Sequence, residues 1–124
     1  MKELDDVLSR MDLDFLGSGQ HAMGIEGFVK AIGDDNCFII DVRTDKELEY
    51  VSLPFATHIP LAELPARKDE IPKDKQIIVY CSTIFRAAVA YTYLLANGFP
   101  KVKGVPVSME EIVSVFKPKP LMKM

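Results

Sequence analysis

An α/β fold on a parallel sheet, with helices on both faces, is the class this chain predicts, and three observations carry it. "CFIIDV" (37–42) and "QIIVY" (76–80) are nearly unbroken runs of apolar strand formers, as strands covered on both faces require. Segments with helical spacing separate these runs, and strands that alternate with helices pair in parallel. At 124 residues, 48% apolar and 27% charged, the chain suffices for one domain with its own core.

Taken in order, Leu4, Val7, Leu8, Met11 and Phe15 recur at helical spacing, so residues 3–16 read as one amphipathic helix ended by Gly17-Ser18-Gly19. Residues 1–20 are assigned to an N-terminal helical extension that either packs back on the domain or meets a partner. Residues 21–117 form the domain, and 118–124 a flexible tail. Within the domain, Ile25 to Ile32 reads as a short helix closed by Gly33. Thr44-x-x-Glu47 is a capping box opening a helical turn over 44–50. Pro54, Pro60 and Pro65 punctuate a loop-rich stretch, with a short helix around Leu61 to Glu70. A helix runs from about Arg86 to Ala96 and is C-capped by Asn97-Gly98. "KVKGV" (101–105) is a third strand, and Ser108 opens a last helix reaching about Phe116.

Composition removes several function classes. A formal net charge of −3 leaves no electrostatic footprint for nucleic acid or an anionic membrane. The longest apolar run, Ala87 to Ala96, is too short to span a bilayer. The acidic start lacks the basic and apolar regions of a secretory signal, and two cysteines do not make a disulfide framework. A reducing, cytoplasmic setting is expected. His21 and His58 have no ligand-spaced partner, so no metal and no cofactor are expected. Cys37 begins its strand and stands far from Cys81, which predicts a buried core thiol rather than a disulfide partner.

The chemistry points to "CSTIFR" (81–86), between a strand and a helix. In parallel sheets, ligands bind beyond the carboxyl ends of the strands, where Cys81 and Asp41 both fall. A tight turn into a helix gathers backbone N–H groups at the positive end of the helix dipole, a natural anion cradle. A cysteine at its rim is placed to work as a solvent-facing thiolate nucleophile. Cysteine at a strand end is more often a small buried apolar residue, and that alternative stands beside the chemical one. Phosphoryl transfer needs a wide cradle and a proton donor for the leaving group. Sulfur transfer needs room for one extra sulfur, and its leaving groups are stable anions.

With these residues in view, the chain resembles single-domain rhodanese-like sulfurtransferases over about residues 21–117. "FIIDVRTDKELEY" resembles the family's Asp-Val-Arg segment, and "IIVYCSTIFRAAVAYTYLLANGF" its active-site strand, loop and helix. The resemblance implies a central, mostly parallel sheet of about five strands. It also implies a Cys81 persulfide that takes sulfane sulfur from thiosulfate or a persulfide donor and passes it to a thiol acceptor. By the same resemblance the N–H groups of Ser82, Thr83, Ile84, Phe85 and Arg86 stabilise that anion, and Arg86 holds the loop and attracts the donor. Asp41 lines the pocket, while Arg43 pairs with Glu47 or Glu49 as structural support. Four residues between Cys81 and Arg86 match the sulfur-transfer loop; related phosphatases and arsenate reductases use one more.

The chain departs from the family at informative places. Ile84 stands where glycine is usual, so either the loop is rebuilt or a β-branched residue sits at positive φ. "VSLPFA" (51–56) replaces Gly-His-Ile-Pro-Gly-Ala, and the usual glycine pair before the last helix is lost near Val107-Ser108. A loop without extra cations predicts poor thiosulfate turnover and a better fit to a persulfide, small or protein-bound. A catalytically weak interaction module, using the Ile84-Phe85 tip and the N-terminal helix, is the main alternative, and a small cysteine phosphatase the second.

Overall fold

The two apolar runs pair side by side. In the computed structural model, which describes residues 1–124, β1 (Cys37–Asp41) lies parallel to a strand at Gln76–Tyr80, with Cys37 opposite Gln76 and Asp41 opposite Tyr80. A two-residue β2 (Thr57–His58) flanks β1, which makes the Gln76–Tyr80 strand β3, and β4 (Val102–Gly104) flanks β3 on the other side. All pairs are parallel, in the order β2-β1-β3-β4. This register brings Val42-Arg43 and Cys81-Ser82 out side by side at the carboxyl edge.

The sheet therefore has four strands where about five were expected. What remains of another is a single parallel bridge between Ala22 and Gly104, held by Met23 N–H to Gly104 O and Gly104 N–H to His21 O, both 2.9 Å. Gly19 at φ 72° and Gly24 at a helix N-cap bracket that stretch and leave it no length to extend.

Side chains alternate across the sheet, so each strand feeds two cores. Ile77 and Val79 of β3, followed by Cys81, join Ile40, Val42 and the inner face of a helix at Phe85–Ala96: Ala87, Ala90, Tyr91 and Leu94. Ile78 and Tyr80 face the other way, against Ile39, Phe28 and Ile112. Phe28 comes from a helix at Ile25–Ala31, and Ile112 from one at Met109–Ser114. Helices thus cover both faces, as the continuous apolar runs demanded. Fully buried side chains of this size each contribute on the order of 2 kcal/mol by leaving water.

The predicted single N-terminal helix is two: α1 (Lys2–Ser9) and α2 (Leu13–Ser18). Asp12 makes the break, because its side chain accepts the Phe15 N–H at 2.9 Å and caps the second helix. The spacing hid this, since Val7 is buried while Met11 and Phe15 still pack on the first core. The extension packs back on the domain.

In chain order the remaining helices are α3 (Ile25–Ala31), α4 (Asp45–Leu48), α5 (Leu64–Arg67), α6 (Phe85–Ala96), α7 (Met109–Ser114) and α8 (Pro118–Leu121). Single 3-10 turns flank α5, so the predicted Leu61–Glu70 helix is a string of short turns, and the tail carries one turn of helix in α8. No helix is long and apolar enough to cross a membrane.

Candidate active site

Between β3 and α6 the chain has four residues in which to reverse direction. It does so with a γ-turn: Ile84 sits at φ 70°, ψ −42°, and the Phe85 N–H donates to Thr83 O at 2.7 Å. This is close to the rare, strained form of that turn. The loop keeps the shape glycine would take, and Ile84, half-exposed, bears the strain.

Cys81 is completely buried under this turn, contrary to the expected solvent-facing sulfur. The loop folds over it, and Ala87 and Ala90 complete an apolar wall. Ile84, the N-cap residue of α6, offers no side-chain acceptor. The Cys81 sulfur takes that role, accepting the Ala87 N–H at 3.2 Å. The positive end of the helix dipole therefore points at sulfur. The predicted donor set changes accordingly: Ala87, outside 82–86, reaches the sulfur, and the Phe85 amide is engaged by Thr83. The amides of Ser82, Thr83, Ile84 and Arg86 have no acceptor within the chain.

Arg86 reaches back across the sheet edge instead of into solvent. Its guanidinium meets the Glu47 carboxylate at 2.5 and 3.0 Å and the Ser82 hydroxyl at 3.0 Å. Ser82 donates to the same carboxylate at 3.3 Å. Glu47 also closes the capping box of α4, accepting the Thr44 N–H at 3.0 Å. Hydrogen bonding from Arg86 holds the Glu47 carboxyl far below the usual carboxylate range, against an opposing push from burial. The charge of Arg86, expected to be free for a donor, is balanced from within. Thr83 and Phe85 are exposed, and Phe85, 71% accessible, offers the cradle an apolar rim.

Asp41 is a correction. Its carboxylate is buried and engaged by Arg43, through Nε at 3.0 Å to both oxygens and through a terminal nitrogen at 2.6 Å. It also accepts the Arg43 N–H at 3.0 Å, so it braces the loop instead of lining a pocket. Arg43, expected in a supporting role beside Glu47 or Glu49, pairs with Asp41 instead. Its guanidinium also lies 5.7 Å from the centre of the Tyr80 ring, whose phenol burial pushes up to about 12. Glu49 is exposed and pairs only with Lys46, at 3.1 Å. Glu47 was expected as the capping-box acid and as a partner for Arg43; its hold on Arg86 and Ser82 is what sequence reasoning missed, and the signal was its place directly after the strand neighbouring Cys81.

His58 supports the same edge, its Nε2 lying 2.6 Å from Arg43 O. Cys37, at the other end of β1, is half-buried against the second core, and both cysteines are free.

The chain is also similar to known proteins. The family model described as "Rhodanese-like domain" matches residues 25–114. The chain belongs to the rhodanese-like family. A sulfurtransferase of Allochromatium vinosum is 32% identical over 68 residues, covering 55% of this chain and 64% of that protein. Among solved structures, reduced Bacillus anthracis CoADR-RHD matches with TM-score 0.71 and 27% identity over 83% of this chain and 18% of its own. An NAD-dependent persulfide reductase from A. fulgidus matches with TM-score 0.60 and 30% identity, over 77% and 16% respectively. This chain thus spans less than two thirds of each of these three relatives. Sulfur transfer is the chemistry these likenesses support for the rhodanese-like domain as a class.

Proposed function

We propose that this rhodanese-like domain moves sulfane sulfur through a persulfide on Cys81. The observation that carries the reading is the Ala87 N–H on the Cys81 sulfur at the start of α6, in a loop whose other amides lack acceptors. In the first step the Cys81 thiolate attacks the outer sulfur of a donor. A sulfur–sulfur bond forms on Cys81, the donor's own breaks, and the leaving thiolate (sulfite, for thiosulfate) departs with the electron pair. An acceptor thiolate then attacks the outer sulfur and releases the Cys81 thiolate. No outside oxidant or reductant is needed, and the leaving groups require no acid.

Two features favour a persulfide donor, small or protein-bound, over thiosulfate. Arg86 is already neutralised by Glu47, so a small dianion gains little from it. The loop tip, Ile84 and Phe85, is apolar and exposed. The same tip and the buried sulfur are what support the second reading, a domain that binds a partner and transfers sulfur weakly or not at all.

Intact-mass spectrometry after incubation with glutathione persulfide separates the two. A gain of one sulfur atom, absent in Cys81→Ser, is the expected result. No gain from that donor or from thiosulfate would overturn sulfur transfer and leave the binding reading. Vigorous thiosulfate–cyanide turnover would overturn the donor preference alone.

A further inference from the structure

We propose that the cleft between the N-terminal extension and the amino edge of the sheet binds an organic phosphate carrying a flat apolar body, of nucleotide size. The inference is independent of the sulfur chemistry. The cleft has a volume of about 730 Å³, within the range of small-molecule sites. Gln76 at the start of β3 and Lys101, Val102 and Lys103 at the start of β4 form one wall. Cys81 follows the opposite end of β3, so this is a different place from the sulfur loop.

Charge identifies the ligand. Arg10, Lys101 and Lys103 stand around the cleft with one carboxylate, Asp14, a surplus of two positive charges in a chain whose net charge is −3. None of the three cations takes part in an ion pair. Lys101, just before β4, and Lys103 within it both border the cleft at the edge of the sheet, on either side of the buried Val102. Arg10 gives its Nε to the Asp6 carbonyl at 3.3 Å and keeps the terminal nitrogens of its fork free. A single carboxylate would leave such a surplus half-matched, whereas a phosphate monoester carries about two negative charges near neutrality.

The floor identifies the rest of the molecule. Met11, Phe15, Tyr91 and Leu95 line the same cleft with aromatic, thioether and aliphatic groups. A bare inorganic anion would leave that surface in water. A flat ring system laid on it, with phosphate toward the rim, satisfies both halves.

Amide NMR spectra of the full chain, recorded at low salt with ADP, adenosine and pyrophosphate in parallel, test this. ADP is expected to shift amides in residues 10–20 and 101–103 and to leave 81–87 in place. Adenosine and pyrophosphate are each expected to bind at least about tenfold more weakly. The double variant Lys101→Gln/Lys103→Gln, on the surface of an edge strand, is expected to weaken ADP by about tenfold or more. Should that variant fold poorly, Arg10→Gln carries the same expectation. No response to ADP, a response centred on 82–86, pyrophosphate binding as tightly as ADP, or ADP binding unchanged in the variants would each overturn the assignment.

Discussion

Replacing Glu47 by Gln removes the charge that fixes the Arg86 guanidinium while keeping the side chain's shape and its ability to close the capping box of α4. The substitution weakens or breaks two N–H···O bonds, at 2.5 and 3.0 Å, between side chains 22% and 32% exposed. A hydrogen bond to a charged group has a net value of about 1.5–3 kcal/mol when buried, and an exposed ion pair about 0.2–1 kcal/mol. Exposure of a quarter to a third discounts the first figure, so a coupling of about 1–2 kcal/mol is expected. The assay is a double-mutant cycle of Glu47→Gln and Arg86→Gln, read by urea unfolding followed by circular dichroism. The pH dependence has a definite sign. Arg86 depresses the folded carboxyl below its ordinary value of 4.5, so the stabilisation is complete above that pH. It disappears as pH falls through the lower folded value. The wild type should therefore exceed Glu47→Gln by a constant margin from neutrality down to about pH 5, and the margin should shrink in stronger acid. A coupling below about 0.3 kcal/mol, or a margin that shrinks as pH rises, would refute the placement of Arg86 on Glu47.

Ile84→Gly should leave the domain as stable or up to about 1 kcal/mol more stable. Relief of strain, of order 1–3 kcal/mol, outweighs the added chain entropy of glycine and the little packing a half-exposed Ile84 provides. Chemical unfolding that shows a loss of more than about 1 kcal/mol would mean the turn is relaxed as it stands. The same variant should slow alkylation of Cys81, because a less strained turn opens less often; iodoacetamide labelling mapped by peptide mass spectrometry measures this, and faster labelling would count against the idea. Asp41→Asn strands a guanidinium that is 3% exposed and should cost about 3–5 kcal/mol of stability, while sulfur loading per folded molecule stays unchanged. A mild stability effect with lost loading would return Asp41 to the pocket.

Much of the architecture is legible because burial on both faces writes itself into the chain. Ile77 to Tyr80 has no polar side, and only a strand with a core on each face requires that. Both capping boxes, at Thr44 and Ser108, are local and appear where the residues stand. What escaped was set by partners distant in sequence or by single bonds. β2 is two residues long and owes its existence to β1, not to its own pattern. Asp12 divides the N-terminal helix through one hydrogen bond that spacing cannot register. Arg43 pairs with Asp41, and the Glu47 expected beside it holds Arg86 instead, for a geometric reason. Asp41 is two residues from Arg43 on the buried side of the edge, while Glu47 on the first turn of α4 faces the loop 39 residues away.

These two ion pairs divide the work of the loop, and their burial shows how. Asp41–Arg43 is sealed in the interior and can only hold the strand end in place. Glu47–Arg86 is part-exposed and grips the helix start, so it fixes Arg86 and, one residue on, the Ala87 N–H that meets sulfur. Between the two anchored residues, Cys81 and Arg86, Ser82 is held by its hydroxyl contacts with Glu47 and Arg86; the tip beyond it is held by the Phe85–Thr83 bond of a strained turn and by Ile84 O accepting the Ala88 N–H. Displacing Thr83 and Ile84 alone, while Ser82 and α6 stay in place, would cost those two backbone bonds and regain strain of order 1–3 kcal/mol. Releasing Arg86 would cost more and would also remove the sulfur's amide donor. The cheap movement is therefore the one that uncovers Cys81 without dismantling its support, and the place of strain at Ile84 is where such a movement would begin.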